Sequence, residues 1–237
     1  NMATYVIGDI HGRLVTFISM LDKLKLDKER DTLYLLGDYT DSGPDGIGVI
    51  QHIMNMQDQG FKVHCLMGNH DKMMLDVIDY QGDSDEEYQD NIDEWYINYG
   101  ENTHEVFNGL STKDQVQIID WLRNLKLTYQ ITVGGKEFIL CHSLPWFENT
   151  DIYYSLNARF EPITLSRAIY EDNPNVTIIC GHTIVANFKS LDQEGKCKIY
   201  KYGPNLIYID CGAKAIGLRK YARLVCLRLD DMTEFYT

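Results

Sequence analysis

The chain has 237 residues, of which 44% are hydrophobic and 24% are charged, so it is long enough to bury the core of one large domain. Its net charge of −13 disfavours binding to the phosphate backbone of nucleic acids, and no apolar run reaches the length of a membrane-spanning helix. We therefore expect a single soluble domain over residues 1–237, with neither nucleic acid nor a membrane as partner.

The first third of the chain contains three short apolar runs that are typical of buried parallel strands. The runs are Tyr5–Ile7, Leu33–Leu36 and Val63–Met67. A helical pattern follows each of them, over Leu14–Leu24, over about Asp45–Gln59 with Pro44 at its first position, and over about Asp71–Tyr80. Strand and helix units in series indicate a doubly wound α/β sheet.

A helical and acidic insertion is predicted around residues 82–125. The stretch from Gly82 to Asp93 is strongly acidic, and we expect a solvated surface segment there. The patterns of Trp95–Phe107 and Ser111–Asn124 predict two helices that form a cap, with Ser111 as the N-cap of the second.

The rest of the chain alternates predicted strands with loops. Two alternating segments, Leu127–Val133 and Glu137–Cys141, flank Gly134-Gly135 and predict a hairpin. Ser143–Phe160 is predicted as an aromatic-rich loop and Pro162–Tyr170 as a helix. The remaining predicted strands are Val176–Cys180, Cys197–Tyr202, Leu206–Asp210 and Ala222–Leu229, the last three of which would close a second sheet.

The six cysteines show no C-x-x-C spacing and lie mostly within apolar runs. This pattern favours reduced, buried thiols over a disulfide framework. The segment after Met2 lacks the charged and then apolar pattern of a signal sequence. These features favour a cytoplasmic protein.

Side chains that can bind metals follow several of the predicted strands. They are Asp9, His11, Asp38, Asn69, His142 and His182. Because the carboxyl ends of neighbouring parallel strands lie side by side, residues far apart in sequence can meet at one point. Carboxylate oxygens together with imidazole nitrogens suit Mn, Fe or Zn, and Asp38 bridging two ions about 3.5–4 Å apart would form a two-metal phosphoryl site.

His70, adjacent to Asn69, is the candidate proton donor for a leaving oxygen. A carboxylate that bonds the far ring nitrogen would fix the tautomer of the imidazole and favour its protonated form. Asp41 is the candidate for that carboxylate.

The polar clusters resemble the motifs of the calcineurin-like metallophosphoesterases, and within them the phosphoprotein-phosphatase branch with its small bacterial and phage members. The matching stretches are Gly8-Asp9-Ile10-His11-Gly12, Gly37-Asp38-Tyr39-Thr40-Asp41-Ser42-Gly43, Gly68-Asn69-His70-Asp71, His142, Gly181-His182-Thr183 and Ile209-Asp210-Cys211-Gly212. Their order along most of the chain makes the resemblance specific.

The resemblance implies an α/β fold of two stacked mixed sheets flanked by helices, a dinuclear metal centre and hydrolysis of phosphomonoesters by a bridging hydroxide. The residues that match the first metal site are Asp9, His11 and Asp38. Those that match the second are Asp38, Asn69, His142 and His182. His70 and Asp41 match the acid pair, and Mn is the metal we expect first, with Fe or Zn as alternatives.

The sequence departs from the family pattern at two positions. Ser42 stands where a phosphate-binding arginine is usual, and Asp71 stands where glutamate is usual. Unless another cation replaces the arginine, transition-state binding would be roughly tenfold to a hundredfold weaker. Arg167 best fits the place of a second family arginine, Arg159 is its rival, and Arg13 is a third candidate.

The predicted function is that of a metal-dependent phosphomonoesterase, first of all a serine/threonine protein phosphatase acting on a phosphorylated protein or a small phosphoester. Two alternatives remain open. One is an enzyme that resembles symmetrical diadenosine tetraphosphate hydrolases, because the lost arginine hints at a changed substrate. The other is a weakened phosphatase that serves as a binding module.

Overall fold

Two five-stranded mixed sheets form the centre of the computed structural model, which describes residues 2–144 and 175–237. The strands are β1 Thr4–Ile7, β2 Thr32–Leu35, β3 Lys62–Cys65, β4 Thr128–Val133, β5 Lys136–Cys141, β6 Val176–Cys180, β7 Tyr200–Tyr202, β8 Leu206–Tyr208, β9 Val225–Arg228 and β10 Thr233–Tyr236. The predictions for Ser143–Phe160 beyond Leu144 and for Pro162–Tyr170 lie outside the described residues.

The first sheet has the order β10-β9-β1-β2-β3, and the pairs β1-β2 and β2-β3 are parallel, as the three apolar runs predict. The prediction that Ala222–Leu229 closes the second sheet is wrong, because β9 pairs antiparallel with β1. The apolar pattern of this strand shows that both faces are buried, but it does not say which sheet receives the strand. Strand β10, at the edge, was not predicted.

The second sheet has the order β4-β5-β6-β8-β7 and begins with the predicted hairpin. Its turn residues Gly134 and Gly135 have φ angles of 57° and 80°, the positive values that a tight hairpin turn needs. Strands β5, β6 and β8 are parallel neighbours. The ends of β5 and β6 therefore lie at one edge, where each is followed by a predicted histidine.

Alternation along the strands of the first sheet divides the core into two layers. Tyr5 and Ile7 of β1 pack on the helices, whereas Val6 packs with residues of the second sheet. In β9, Cys226 belongs to the helical side and Leu227 to the layer between the sheets. The first sheet is thus buried on both faces, which holds the loops at its edge in fixed positions.

Six α-helices occur in the described residues, and all six contribute buried side chains to the helical side of the first sheet. They are α1 Leu14–Leu24, α2 Gly46–Asp58, α3 Asn69–Ile78, α4 Asp85–Ile97, α5 Glu101–Asn108 and α6 Thr112–Arg123. Pro44 does not occupy the first position of α2, because Asp45 is its N-cap and accepts a 2.9 Å hydrogen bond from the Gly48 amide. The predicted cap at Ser111 is confirmed.

The acidic stretch is exposed, as predicted, but most of it is helical. Ser84 caps α4 by accepting a hydrogen bond from the Glu87 amide, and Asp85, Glu86 and Glu87 fill the first turn. Negative charge at that end of a helix is favourable because it faces the positive end of the helix dipole. The single helix predicted over Trp95–Phe107 is broken after Ile97, and α5 begins at Glu101.

All six cysteines are buried and free, which confirms the prediction of reduced thiols. None of the described helices combines the length and the apolar character needed to cross a bilayer.

Candidate active site

The six predicted metal ligands meet at one place, where the loops after β1, β2, β3, β5 and β6 converge. Asp38 lies at the centre, because its Oδ2 is 3.5 Å from His11 Nε2 and 3.4 Å from His142 Nε2. Asn69 Oδ1 lies 2.9 Å from His182 Nδ1. The groups His11, Asp38, His70 and Asp38, His142, His182 each have ligand atoms within 4.8 Å of one another, and they share Asp38.

The histidines present lone pairs to this centre. His142 Nδ1 lies 2.9 Å from the backbone oxygen of Leu36, so it carries the ring proton and donates it there. Its Nε2 is then an acceptor, yet it lies 3.0 Å from Asn69 Oδ1 and 3.4 Å from Asp38 Oδ2. His11 repeats the pattern, with Nδ1 3.2 Å from the Thr40 oxygen. Facing lone pairs repel one another unless a cation lies between them.

The charges of the site also fit bound cations. Burial, followed by repulsion from Asp210 and Asp38, raises the pKa of Asp9 well above its usual value. Burial chiefly lowers the pKa of His11 and of His182 to about 3, so these imidazoles are neutral and offer no compensating charge. A group of buried carboxylates with neutral histidines is suited to divalent metal ions.

Backbone hydrogen bonds hold the loops of the centre in register. The Asp71 carboxylate accepts from the amides of Gly68 at 2.8 Å, Asp38 at 2.8 Å and Tyr39 at 3.0 Å. It therefore joins the loop after β2 to the start of α3. Asp9 accepts in the same way from the His182 amide, at 3.0 Å to Oδ1 and 3.1 Å to Oδ2, which joins the two sheets across the site.

The backbone at the site adopts conformations that side chains usually avoid. Five of the nine non-glycine residues with positive φ among the described residues are site residues. They are His11, Asp38, Asp41, Ser42 and His182. Such positions cost about 1–3 kcal/mol each and persist only where the surroundings enforce them. These backbone conformations therefore lower the stability of the fold, and they set the orientation of the five side chains.

His70 and Asp41 lie in contact. His70 Nδ1 is 2.8 Å from Asp41 Oδ2. Burial lowers the pKa of His70, but the carboxylates of Asp38 and Asp41 more than offset this, and the net shift is upward. Because Nδ1 faces Asp41, Nε2 is the nitrogen that can serve a substrate.

Two residues that sequence reasoning missed fix the Asp41 carboxylate. Trp95 of α4 donates its Nε1–H to Oδ2 at 2.9 Å, and Thr103 of α5 donates its hydroxyl to Oδ1 at 2.8 Å. Both side chains are buried. Both residues bond to a side chain more than fifty positions earlier in the chain. A helical pattern can identify them as core positions, but it cannot show such a distant contact.

A cavity of about 480 Å³ opens above the centre. Its described lining residues are His11, Asp38, Asn69, His70, Met73, Glu94, Asn98, His182 and Lys214. Lys214, in a short 3-10 turn over Ala213–Ala215, is another residue that the sequence analysis missed. The only available signal was its position two residues after the Ile209–Gly212 motif.

Of the four predicted substrate-binding residues, Ser42 and Arg13 are described, and neither is among the described residues that line this cavity. Ser42 Oγ is buried, without a hydrogen-bond partner among the described residues. Arg13 donates from Nη2 to the backbone oxygen of Lys214 at 2.9 Å, and it is not among the described lining residues. Arg159 and Arg167 lie outside the described residues.

Comparison with known proteins agrees with this geometry. A family model described as calcineurin-like phosphoesterase matches residues 2–186. A curated protein of Buchnera aphidicola subsp. Acyrthosiphon pisum (strain Tuc7), named symmetrical bis(5'-nucleosyl)-tetraphosphatase, is 31% identical over 122 residues. Those residues are 52% of this chain and 38% of that protein, so the match spans well under two thirds of such relatives.

Solved structures share the fold. A candidate diadenosine tetraphosphatase has a TM-score of 0.62 at 15% identity over 100% of this chain and 93% of its own. The cold-active protein-tyrosine phosphatase of a psychrophile Shewanella sp. has a TM-score of 0.55 at 20% identity over 99% and 80%. At these identities the likeness concerns the fold alone, and it confirms the two mixed sheets flanked by helices.

Proposed function

The chain belongs to the calcineurin-like phosphoesterase family, and we propose that it hydrolyses a phosphate ester or anhydride with the help of two divalent metal ions. One observation carries this proposal. The Nε2 lone pairs of His11 and His142 face Asp38 Oδ2 at 3.5 Å and 3.4 Å, and His142 Nε2 also lies 3.0 Å from Asn69 Oδ1. Bound cations would stabilise this arrangement.

The six predicted ligands would hold the ions, and Asp38 belongs to both ligand groups. When bound, the ions would supply Lewis-acid charge for the phosphoryl oxygens and would acidify a water molecule. The identity of the ions is a prediction, with Mn first and Fe or Zn as alternatives. The histidines and the buried carboxylates already converge, with ligand atoms of each group within 4.8 Å of one another.

The chain's own acid would be His70. Water would add to phosphorus and release one proton to solvent, the bond from phosphorus to the leaving oxygen would break with its electron pair going to that oxygen, and His70 Nε2 would deliver a proton there. His70 would then regain a proton from solvent. Asp41 keeps Nδ1 protonated and favours the cationic ring, while Trp95 and Thr103 hold the Asp41 carboxylate in place. A positioned acid of this kind contributes about 10²–10⁴-fold to a rate.

For the substrate we propose a dinucleoside polyphosphate that is cleaved symmetrically. It is supported by curated relatives named symmetrical bis(5'-nucleosyl)-tetraphosphatase, which are 31–34% identical over 52–53% of this chain. The protein-phosphatase function predicted from the motifs has no equivalent support, because the phosphatase structures resemble this chain in fold at only about 20% identity. Protein-phosphatase activity stays a prediction, and a phosphoserine peptide is the second substrate to test.

The test uses protein stripped of metal with a chelator and then supplied with Mn. Rates are compared on diadenosine tetraphosphate, a phosphoserine peptide and p-nitrophenyl phosphate, before and after the addition of Mn. We expect turnover to depend on Mn and diadenosine tetraphosphate to be the best substrate, with two molecules of ADP as products.

Products of ATP and AMP would contradict symmetrical cleavage. A faster rate on the phosphopeptide would restore the protein-phosphatase prediction. Equal rates with and without metal would overturn the metal-dependent function itself, and binding of phosphate without any turnover would favour the binding module.

A further inference from the structure

We propose that Lys214 binds the phosphoryl group of the substrate and so takes the place of the arginine that Ser42 replaces. This inference rests on the proposed function, because it assigns a substrate contact within the same site. Nothing in the motifs points to Lys214, and the evidence for it is geometric.

Lys214 is half-buried and lines the cavity together with His11, His70 and His182. It is the only lysine or arginine among the described lining residues, whereas Asp38 and Glu94 are acidic. A phosphoryl group that enters the cavity to reach His70 therefore meets one ammonium group. Hydrogen bonds between an ammonium group and a phosphate oxygen are charge-assisted and strong.

The backbone of Lys214 is held in a defined position. Gly212 turns the chain with a φ of 79°, and its amide donates to Asp210 Oδ1 at 2.7 Å. Arg13 Nη2 donates to the Lys214 oxygen at 2.9 Å. Ala213, between them, is buried. The Lys214 side chain thus starts from a fixed backbone position at the edge of the cavity. This lowers the conformational entropy that is lost when its ammonium group binds an anion.

Arg13 has a role in this arrangement that differs from the predicted one. It fixes the turn that carries Lys214, and its guanidinium is engaged with a backbone carbonyl. Ser42 has no cationic group to offer. Of the cationic candidates within the described residues, Lys214 is therefore the one that lines the cavity.

The position of Lys214 is informative about its partner. Lys214 lines the cavity beside His11 and His182, two of the predicted metal ligands, and its charge also acts on the buried carboxylates of Asp9 and Asp210. If metal ions occupy the adjacent ligands, Lys214 faces charge of its own sign. An anion between the lysine and the ions removes that repulsion, and the phosphoryl group of a substrate is such an anion.

The experiment compares Lys214→Met and Lys214→Arg with Lys220→Met, which removes an exposed lysine of the same segment. Affinity for inorganic phosphate is measured by calorimetry on Mn-loaded protein, together with Mn content, melting temperature, and KM and kcat on p-nitrophenyl phosphate. We expect Lys214→Met to weaken phosphate binding roughly tenfold to a hundredfold, while Lys214→Arg keeps most of the affinity. Lys220→Met should match the wild type.

Metal retention separates this role from a structural one. Removing a positive charge beside a cation site leaves Mn binding equal or tighter, so Lys214→Met should keep its Mn and its melting temperature. Loss of Mn or a much lower melting temperature would overturn the proposal, because Lys214 would then serve to neutralise Asp9 and Asp210. Unchanged phosphate affinity would overturn it as well.

Failure of the proposed function has a different signature. Wild-type protein would then bind phosphate in a Lys214-dependent way and yet hydrolyse none of the phosphate compounds. Metal-dependent turnover with the same KM and phosphate affinity in Lys214→Met would instead leave the function standing and overturn only the assignment of Lys214.

Discussion

The loops after β1, β2 and β3 and the helices α4 and α5 reach the same site by different means. The loops present the predicted metal ligands directly, from positions that follow buried parallel strands. Helix α4 lines the cavity with Glu94, whereas Trp95 and Thr103 reach His70 only through Asp41. One region would therefore bind the metal ions and the other would orient the acid, and substitutions should separate these two roles.

The largest effect is expected for Asp38→Asn, which removes the charge shared by the two ligand groups. Loss of a supporting partner of a metal ligand already costs 10–100-fold in affinity or activity in typical sites, so loss of a shared ligand should cost at least roughly 100-fold in Mn affinity. Metal content after gel filtration measures it. Retention of both ions at wild-type affinity would show that Asp38 is not a bridging ligand.

The substitution His70→Asn should leave metal content unchanged and lower kcat by about 10²–10⁴-fold, because it removes the proton donor. The assay pairs elemental analysis with steady-state kinetics. If Mn is lost together with activity, His70 is a ligand, as its position in the group with His11 and Asp38 would then indicate.

The substitution Trp95→Phe tests the helical region. It removes the N–H donor to Asp41 while keeping an aromatic ring, and we expect kcat to fall about tenfold, with metal content unchanged. Trp121→Phe is the matched control, because Trp121 Nε1 donates at the same 2.9 Å distance to Gln57 Oε1, outside the site. Both variants should lose about 0.5–1.5 kcal/mol of stability. Equal kcat values for the two would show that Asp41 needs no help from α4.

The smallest effect is expected for Ser42→Arg. If Lys214 already supplies the cation, the added arginine should change KM by less than about threefold in the wild-type background but should restore much of the phosphate affinity lost in Lys214→Met. Calorimetry with inorganic phosphate on the single and double variants measures this. A large gain in the single variant would mean that the site lacks a phosphate-binding cation.

The difference between the loops and the helices also explains which site residues could be predicted from the sequence. The ligands follow strands recognisable from short apolar runs, and glycines beside them mark tight turns, so Asp9, Asp38 and Asn69 are visible in local sequence. The partners Trp95, Thr103 and Lys214 reach the site through tertiary packing, which leaves no local pattern. Strand β9 was placed in the wrong sheet for the same reason, since burial on both faces is common to strands of either sheet.

Errors in the helical region have local causes. The acidic charges after Gly82 predict a solvated surface segment but do not show where its helix begins, and three of them occupy the first turn of α4, where the helix dipole favours them. The helix predicted over Trp95–Phe107 is broken near Tyr99, whose φ of 70° lies outside the range of α-helix residues. A tyrosine in the sequence does not indicate such a conformation.

The reactivity of the buried cysteines can report on the unfolding of the core. Burial is the main cause that raises the pKa of all six thiols, so each stays protonated and unreactive while the chain is folded. An alkylating reagent can therefore modify them only after the surrounding layers separate. Cys65 and Cys226 belong to the hydrophobic cluster on the helical side, and the other four belong to the cluster around the second sheet, so the order of alkylation reveals which cluster opens first.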